Sequence, residues 1–340
     1  VMVLFAILES VKILSYNNGV ISLNPNEGKT TLVFLGDYVD RQRSHNKSPE
    51  GTYGEVQNEE ILLLKLINNI AEKSQDGIRV VKICGNHEIM NAFGNGNVTQ
   101  VALKNKNRKS DIARELTKTG DNLHFKVFHR IAHGDNFRVG FAHGGPSHNI
   151  EWSEMMLEQM NKNIGVLFKE GRDKISNKVY DNIDKFAWER LYGKTNVKCV
   201  QVENTLSKLN IEHICVGHTI QSSHCTKKNM VLSKMFTRDS DRNRSVYSLP
   251  FIPSTCEKDG GDKMNAPSKG ISGTCMNAND VPRIYKLDAG SSRGNHLIKT
   301  ASDFESIYAS RNHLPQCLEF YTNVETKVTT VHQFVVTYKR

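Results

Sequence analysis

Four short stretches of this chain set glycine beside side chains able to hold a metal ion or move a proton. They are GDYVDR at 36–41, GNHE at 85–88, AHGG at 142–145 and GHT at 217–219. Asp37, Asn86, His143 and His218 offer carboxylate, amide-oxygen and imidazole donors. Such a mixed nitrogen and oxygen set suits Zn, Mn or Fe, whereas Ca or Mg would ask for oxygen alone. Each stretch by itself has an ordinary explanation: a turn with a surface ion pair, an Asn–Gly turn, or a structural histidine. Their common setting argues against that. Every one follows an apolar run, and Asp37, Asp40 and Arg41 are costly residues at the end of a buried strand unless a ligand compensates. The remaining histidines, among them His45, His124, His129, His133 and His313, have no such setting.

The elements that must carry these stretches alternate between two periods. Apolar spacing predicts a helix over about 1–14 and a strand at 31–36. A polar loop at 42–56 leads to an amphipathic helix in EEILLLKLINNIAEKS. Strands follow in IRVVKIC (78–84), FRVGFAH (137–143) and EHICVGH (212–218), the last preceded by the helical VQVENTLSKLN. This β-α-β rhythm predicts an α/β layered fold with ligands gathered at the carboxyl ends of strands. From Ser222 to Asp280 the hydrophobic residues show no period, and the span reads as a long polar insertion, partly disordered. VPRIYKLDAG then predicts a returning strand, and LPQCLEFYTN and TKVTTVHQFVVTYK an antiparallel pair.

Composition narrows the class. The chain has 340 residues and a formal charge of +9 spread along its length. That favours an anionic partner, but no basic run is interleaved with aromatics, so no specific nucleic-acid binding is expected. No stretch is long enough to span a membrane. Seven cysteines form no CxxC pair. Cys84 and Cys215, inside apolar runs, read as small buried hydrophobes of a cytoplasmic, reducing compartment.

The order GDxVDR, GNHE, HGG, GH resembles that of the calcineurin-like metallophosphoesterases, of the phosphoprotein phosphatase type. The pairing of GHT with a later IYKLDAGSS, and FAWERLYG at 186–193, are similar to the bacterial-type, Shewanella-like Ser/Thr/Tyr phosphatases. The resemblance covers about residues 1–221 and 282–325. It implies one metallophosphoesterase domain over 1–340: a central β-sandwich of mixed sheets flanked by helices, interrupted by the insertion at about 222–280. It further implies two divalent metal ions (Mn, Fe or Zn) and a phosphorylated protein or small phosphate ester as substrate. By that resemblance Asp37 bridges the two metals, and Asn86, His143 and His218 complete the shell of one. His87 is the general acid, oriented by Asp40, and attack comes from a metal-bridging hydroxide. Arg41 holds the phosphate, with Arg190 a second contact.

Two departures stand out. The family's opening GDxHG motif, which supplies an Asp and a His to the other metal, is absent, and the expectation is that sequence and a strand are missing upstream. Gln42 stands where the family has glycine after VDR, so the loop from 42 to 56 is expected to run differently. Two other readings stay open: a dinucleoside tetraphosphate hydrolase, and a pseudophosphatase kept as a binding module.

Overall fold

A computed structural model describes residues 13–17, 20–23, 30–39, 53–74, 77–93, 106–118, 123–133, 137–193, 198–218, 237–240, 244–250, 272–276, 282–287, 316–323 and 328–338, with Leu4, Leu8, Glu325 and Thr326. Two sheets face one another. The first runs β3 (Thr30–Phe34), β4 (Ile78–Ile83), β5 (Phe125–Lys126), all parallel. The second has the order β11 (Ser272–Met276), β12 (Pro282–Lys286), β8 (His213–Val216), β7 (Phe137–Ala142), β6 (Phe128–His133), with β12, β8 and β7 parallel and the two edge strands antiparallel. This is the mixed α/β sandwich expected from the sequence.

The two-residue period of the strands decides what each face meets. Val33, Leu35, Val81 and Ile83 point from the first sheet into a shared core with Val139, Phe141, Cys215 and Tyr285 of the second. Their neighbours turn the other way, Leu32, Ile78 and Val80 toward one helical layer and Ala142, Ile214, Val216 and Ile284 toward another. The strands are therefore apolar on both faces, which is why they read as continuous runs.

Helix α1 (Tyr53–Glu72) presents Ile61, Leu64, Ile67 and Ala71 at three- and four-residue steps to the core and leaves Leu62 exposed. Helices α2 (Asn86–Phe93) and α3 (Lys106–Leu116) follow, then α4 (Glu154–Glu170), α5 (Asn177–Trp188) and α6 (Cys199–Lys208). Ser153 and Ser176 begin α4 and α5 by accepting hydrogen bonds from the Met156 and Val179 amides.

Three features lie beyond the elements expected from the sequence. The helix expected over about 1–14 is helical at Leu4 and Leu8, and it is followed by a hairpin, β1 (Leu14–Asn17) with β2 (Val20–Leu23) in register Asn17↔Val20. The two residues between the strands are Asn-Gly, the strongest local signal for such a turn.

Within 222–280, strands β9 (Thr237–Ser240) and β10 (Arg244–Pro250) join β14 (Thr329–Tyr338) and β13 (Gln316–Thr322) in a third sheet, and β11 lies on β12. These strands carry no period of their own. Main-chain pairing with apolar β14 and β12 holds them, and a single-strand pattern cannot show that.

Finally, Cys199 and Cys275 form a disulfide with Cα atoms 5.2 Å apart, across 76 residues of sequence. Cys84 and Cys215 are free and buried, as read from their runs.

Candidate metal centre

The carboxyl ends of β3, β4, β7 and β8 come together at one point. Gly36 and Gly85 make that possible. A Cβ on Gly36 would stand 2.5 Å from the Gly85 amide and 2.9 Å from His143 Nδ1. One on Gly85 would collide with the Asp37 carboxylate. The backbone is bent to the same end: Asp37 (φ 58°) and His218 (φ 62°) both occupy the left-handed region that costs a non-glycine residue about 1–3 kcal/mol.

His143, buried behind this opening, is the hub. Its Nδ1 lies 2.6 Å from the Leu35 carbonyl, so Nδ1–H donates there and Nε2 is left to face the site. Around Nε2 stand Asp37 Oδ1 at 3.1 Å, His218 Nδ1 at 3.1 Å and Asn86 Oδ1 at 3.2 Å. His87, at the start of α2, donates its backbone amide to Asp37 Oδ1 (3.3 Å) and sets its Nε2 3.8 Å from Asp37 Oδ2. Five of the residues expected from the sequence thus share one site. Arg190 approaches from the α5 corner, its Nη1 donating to the His218 carbonyl at 3.4 Å. Asp40, Arg41 and Gln42 lie outside the described residues.

The protons follow from the contacts. Burial alone would push the Asp37 carboxyl up, but His143, and after it His87, hold it well below the usual carboxylate range. Burial would pull His143 down, yet Asp37 pushes it up. His218, buried and facing His143 and Arg190, is pulled down to about 3. One proton therefore sits between Asp37 and His143, while His218 is a neutral base.

Two residues that sequence reasoning passed over build the turn. Glu88, fully buried, accepts the amide hydrogens of Asp37 (2.8 Å), Tyr38 (2.7 Å), Val39 (3.3 Å) and Gly85 (2.8 Å). Its carboxylate clips the end of β3 to the start of α2, and burial followed by the Asp37 charge raises its pKa. The Tyr38 hydroxyl lies between the carbonyls of Phe34 (3.0 Å) and Ile83 (2.9 Å) and accepts from the Gly36 amide. The signal for Glu88 was available, since an acid in the first turn of a helix, three residues after a tight glycine, is placed to accept orphan amides.

Residues 10–222, well over half of the chain, match the family model described as calcineurin-like phosphoesterase. This chain belongs to the calcineurin-like phosphoesterase family. Two solved structures of cold-active protein tyrosine phosphatase are similar to it. One shares 20% identity over 65% of this chain and 61% of its own, with a TM-score of 0.44. The other, from a psychrophilic Shewanella species, shares 18% over 65% and 64%, also at 0.44. The chain spans less than two thirds of the length of either. Among curated protein sequences none matches it.

Members of this phosphoesterase family use divalent metals, and the donor set here fits one. Asp37, His143 and His218 bring ligand atoms within 4.8 Å of one another. With His143 Nδ1 committed to Leu35, its Nε2, the Asn86 and Asp37 oxygens and His218 Nδ1 are all electron-pair donors aimed at one another, with a single proton among them. A dication would fit that arrangement, and its binding would take the place of the proton on His143. The 3.1–3.2 Å separations are also near the roughly 3 Å between adjacent ligands of a small ion bound at about 2.1 Å. The carbonyl behind His143 is the outer partner that metal-bound imidazoles usually have.

Proposed function

We propose that the protein is a metal-dependent phosphomonoesterase acting on phosphorylated proteins, and that Asp37, Asn86, His143 and His218 hold a divalent ion, Mn, Fe or Zn. The observation that carries this reading is the convergence of those four donors beside the His87 imidazole. By family resemblance the working centre would take two such ions, and Asp37 would be the residue shared between them. When bound, they supply Lewis acidity to water and ester and neutralise phosphoryl charge.

The chain's own residues do the rest. Leu35 fixes the His143 tautomer, and Glu88 fixes the backbone that aims Asp37. His87, at the mouth of the site, gives a proton to the departing ester oxygen, and Asp40 is assigned to orient it. Arg41 and Arg190 hold phosphate oxygens, because the planar guanidinium matches them two at a time. Arg190 is suited to this by place: it is exposed, and already drawn toward the centre by the His218 carbonyl.

The test is hydrolysis of p-nitrophenyl phosphate with added Mn²⁺, followed by EDTA. Turnover that stops with EDTA and returns with Mn²⁺ is expected. Turnover that ignores both overturns the metal reading.

A further inference from the structure

His218 is the least secured of the four donors. It sits at a left-handed backbone position at the end of β8. Its Nδ1 faces His143, while its Nε2 is buried without a hydrogen-bond partner among the described residues. A metal-bound imidazole normally gives its second nitrogen to an outer group that fixes the ring. Among the described residues no such bond is made, and ring contacts are what meet the imidazole.

The side chain in place to fix the ring is Trp188, the last residue of α5. Its ring meets that of His218 edge to face, at 5.6 Å between centroids and 87° between planes. Such a contact prefers one orientation, because the positive edge of one ring is drawn to the negative face of the other. Two residues later Arg190 holds the His218 carbonyl. One corner of the chain thus grips His218 by ring and by backbone. Trp188 is also 40% exposed, an unusual place for an indole with no such duty.

We propose that Trp188 is a positioning residue that fixes the His218 imidazole with Nδ1 turned toward Asp37 and His143. This rests on the metal reading above, and metal binding can be measured without substrate. Titration calorimetry of the full chain with Mn²⁺ compares wild type, Trp188→Ala, Trp188→Phe and Trp188→Leu.

Trp188→Ala is expected to bind Mn²⁺ roughly tenfold more weakly, as outer-shell losses do, and to recover its kcat at saturating Mn²⁺. Trp188→Phe keeps the ring and stays close to wild type. A Trp188→Ala protein that binds Mn²⁺ as tightly as wild type overturns the inference while leaving the phosphoesterase reading intact. Wild type that binds no Mn²⁺ overturns both. If Trp188→Ala does not fold, Trp188→Leu, which keeps the bulk and loses the ring, decides: weaker Mn²⁺ binding at an unchanged melting temperature supports the role, and unchanged binding refutes it.

Discussion

Two clusters of buried polar groups flank the same strand, β4, and they are put together in opposite ways. Beneath α1 and α3, Lys82 Nζ donates to Asn68 Oδ1 at 2.7 Å. Asn68 Nδ2 donates to the Glu115 carboxylate (2.9 Å) and carbonyl (3.0 Å), and Lys118 pairs with Glu115 at 3.3 Å. Lys82 lies 4.5 Å from the centre of the Phe125 ring. Every donor there has an acceptor. Four residues further along the same strand direction, Asn86, Asp37, His143 and His218 aim lone pairs at one another. Burial is similar and the charges comparable, so neither distinguishes structure from function here. What separates them is whether the hydrogen bonding closes on itself. A closed network rigidifies a core; an open one asks for a ligand.

The sharpest way to break the comparison is His87→Asn, which touches the open cluster without removing a donor from it. Loss of a general acid is expected to cut kcat by about 10²–10⁴, with bound Mn²⁺ near the wild-type amount by elemental analysis. A variant that loses its metal instead would make His87 a ligand and not an acid.

A matched pair of substitutions then contrasts the two sides. Glu88→Gln takes from the open cluster the carboxylate that four amides share, and Mn²⁺ affinity is expected to drop about 10–100-fold, the range for groups that orient ligands. Lys82→Met on the closed side leaves Asn68 Oδ1 without its donor, at a cost of about 1–3 kcal/mol in unfolding free energy, with kcat/KM and Mn²⁺ affinity unchanged. Denaturant melts and calorimetry on both variants read the two effects separately. Equal loss of metal affinity in both would mean that the clusters are one unit.

How much of this was legible in the sequence follows the same division. The ends of β3, β4, β7 and β8 were readable because glycine and donor residues recur after apolar runs; Asp37, Asn86, His143 and His218 were named from that pattern, and His87 from the family resemblance. The closed cluster left no trace, since Lys82, Asn68 and Glu115 are ordinary residues at ordinary spacing until the fold brings β4, α1 and α3 together. Glu88 was overlooked although its link to the Gly85 amide is local, because its other three partners are backbone amides about fifty residues away. Strand β10, held by β14, and the Cys199–Cys275 bridge depend on partners distant in sequence, and such pairings have no local period to find.

The smallest effect isolates a buried histidine that belongs to neither cluster. His129 on β6 is buried, with Nε2 unpartnered among the described residues and Lys126 Nζ 3.5 Å from Nδ1. Burial first, then the positive charges of Lys126 and Arg79, pull its pKa down to about 3 from an ordinary 6.5. The folded protein therefore keeps His129 neutral where the unfolded chain takes up a proton. Between pH 6.5 and about 3 the unfolded state binds more protons, so this group's contribution to stability is whole above 6.5 and lost as pH falls through that window. Replacing His129 with Gln should make unfolding free energy against pH shallower there, by on the order of 1 kcal/mol per pH unit, without altering Mn²⁺ affinity at pH 7. If the slope is unchanged, the acid sensitivity of the fold belongs to Asp37, His143 and His218, and the open cluster alone governs it.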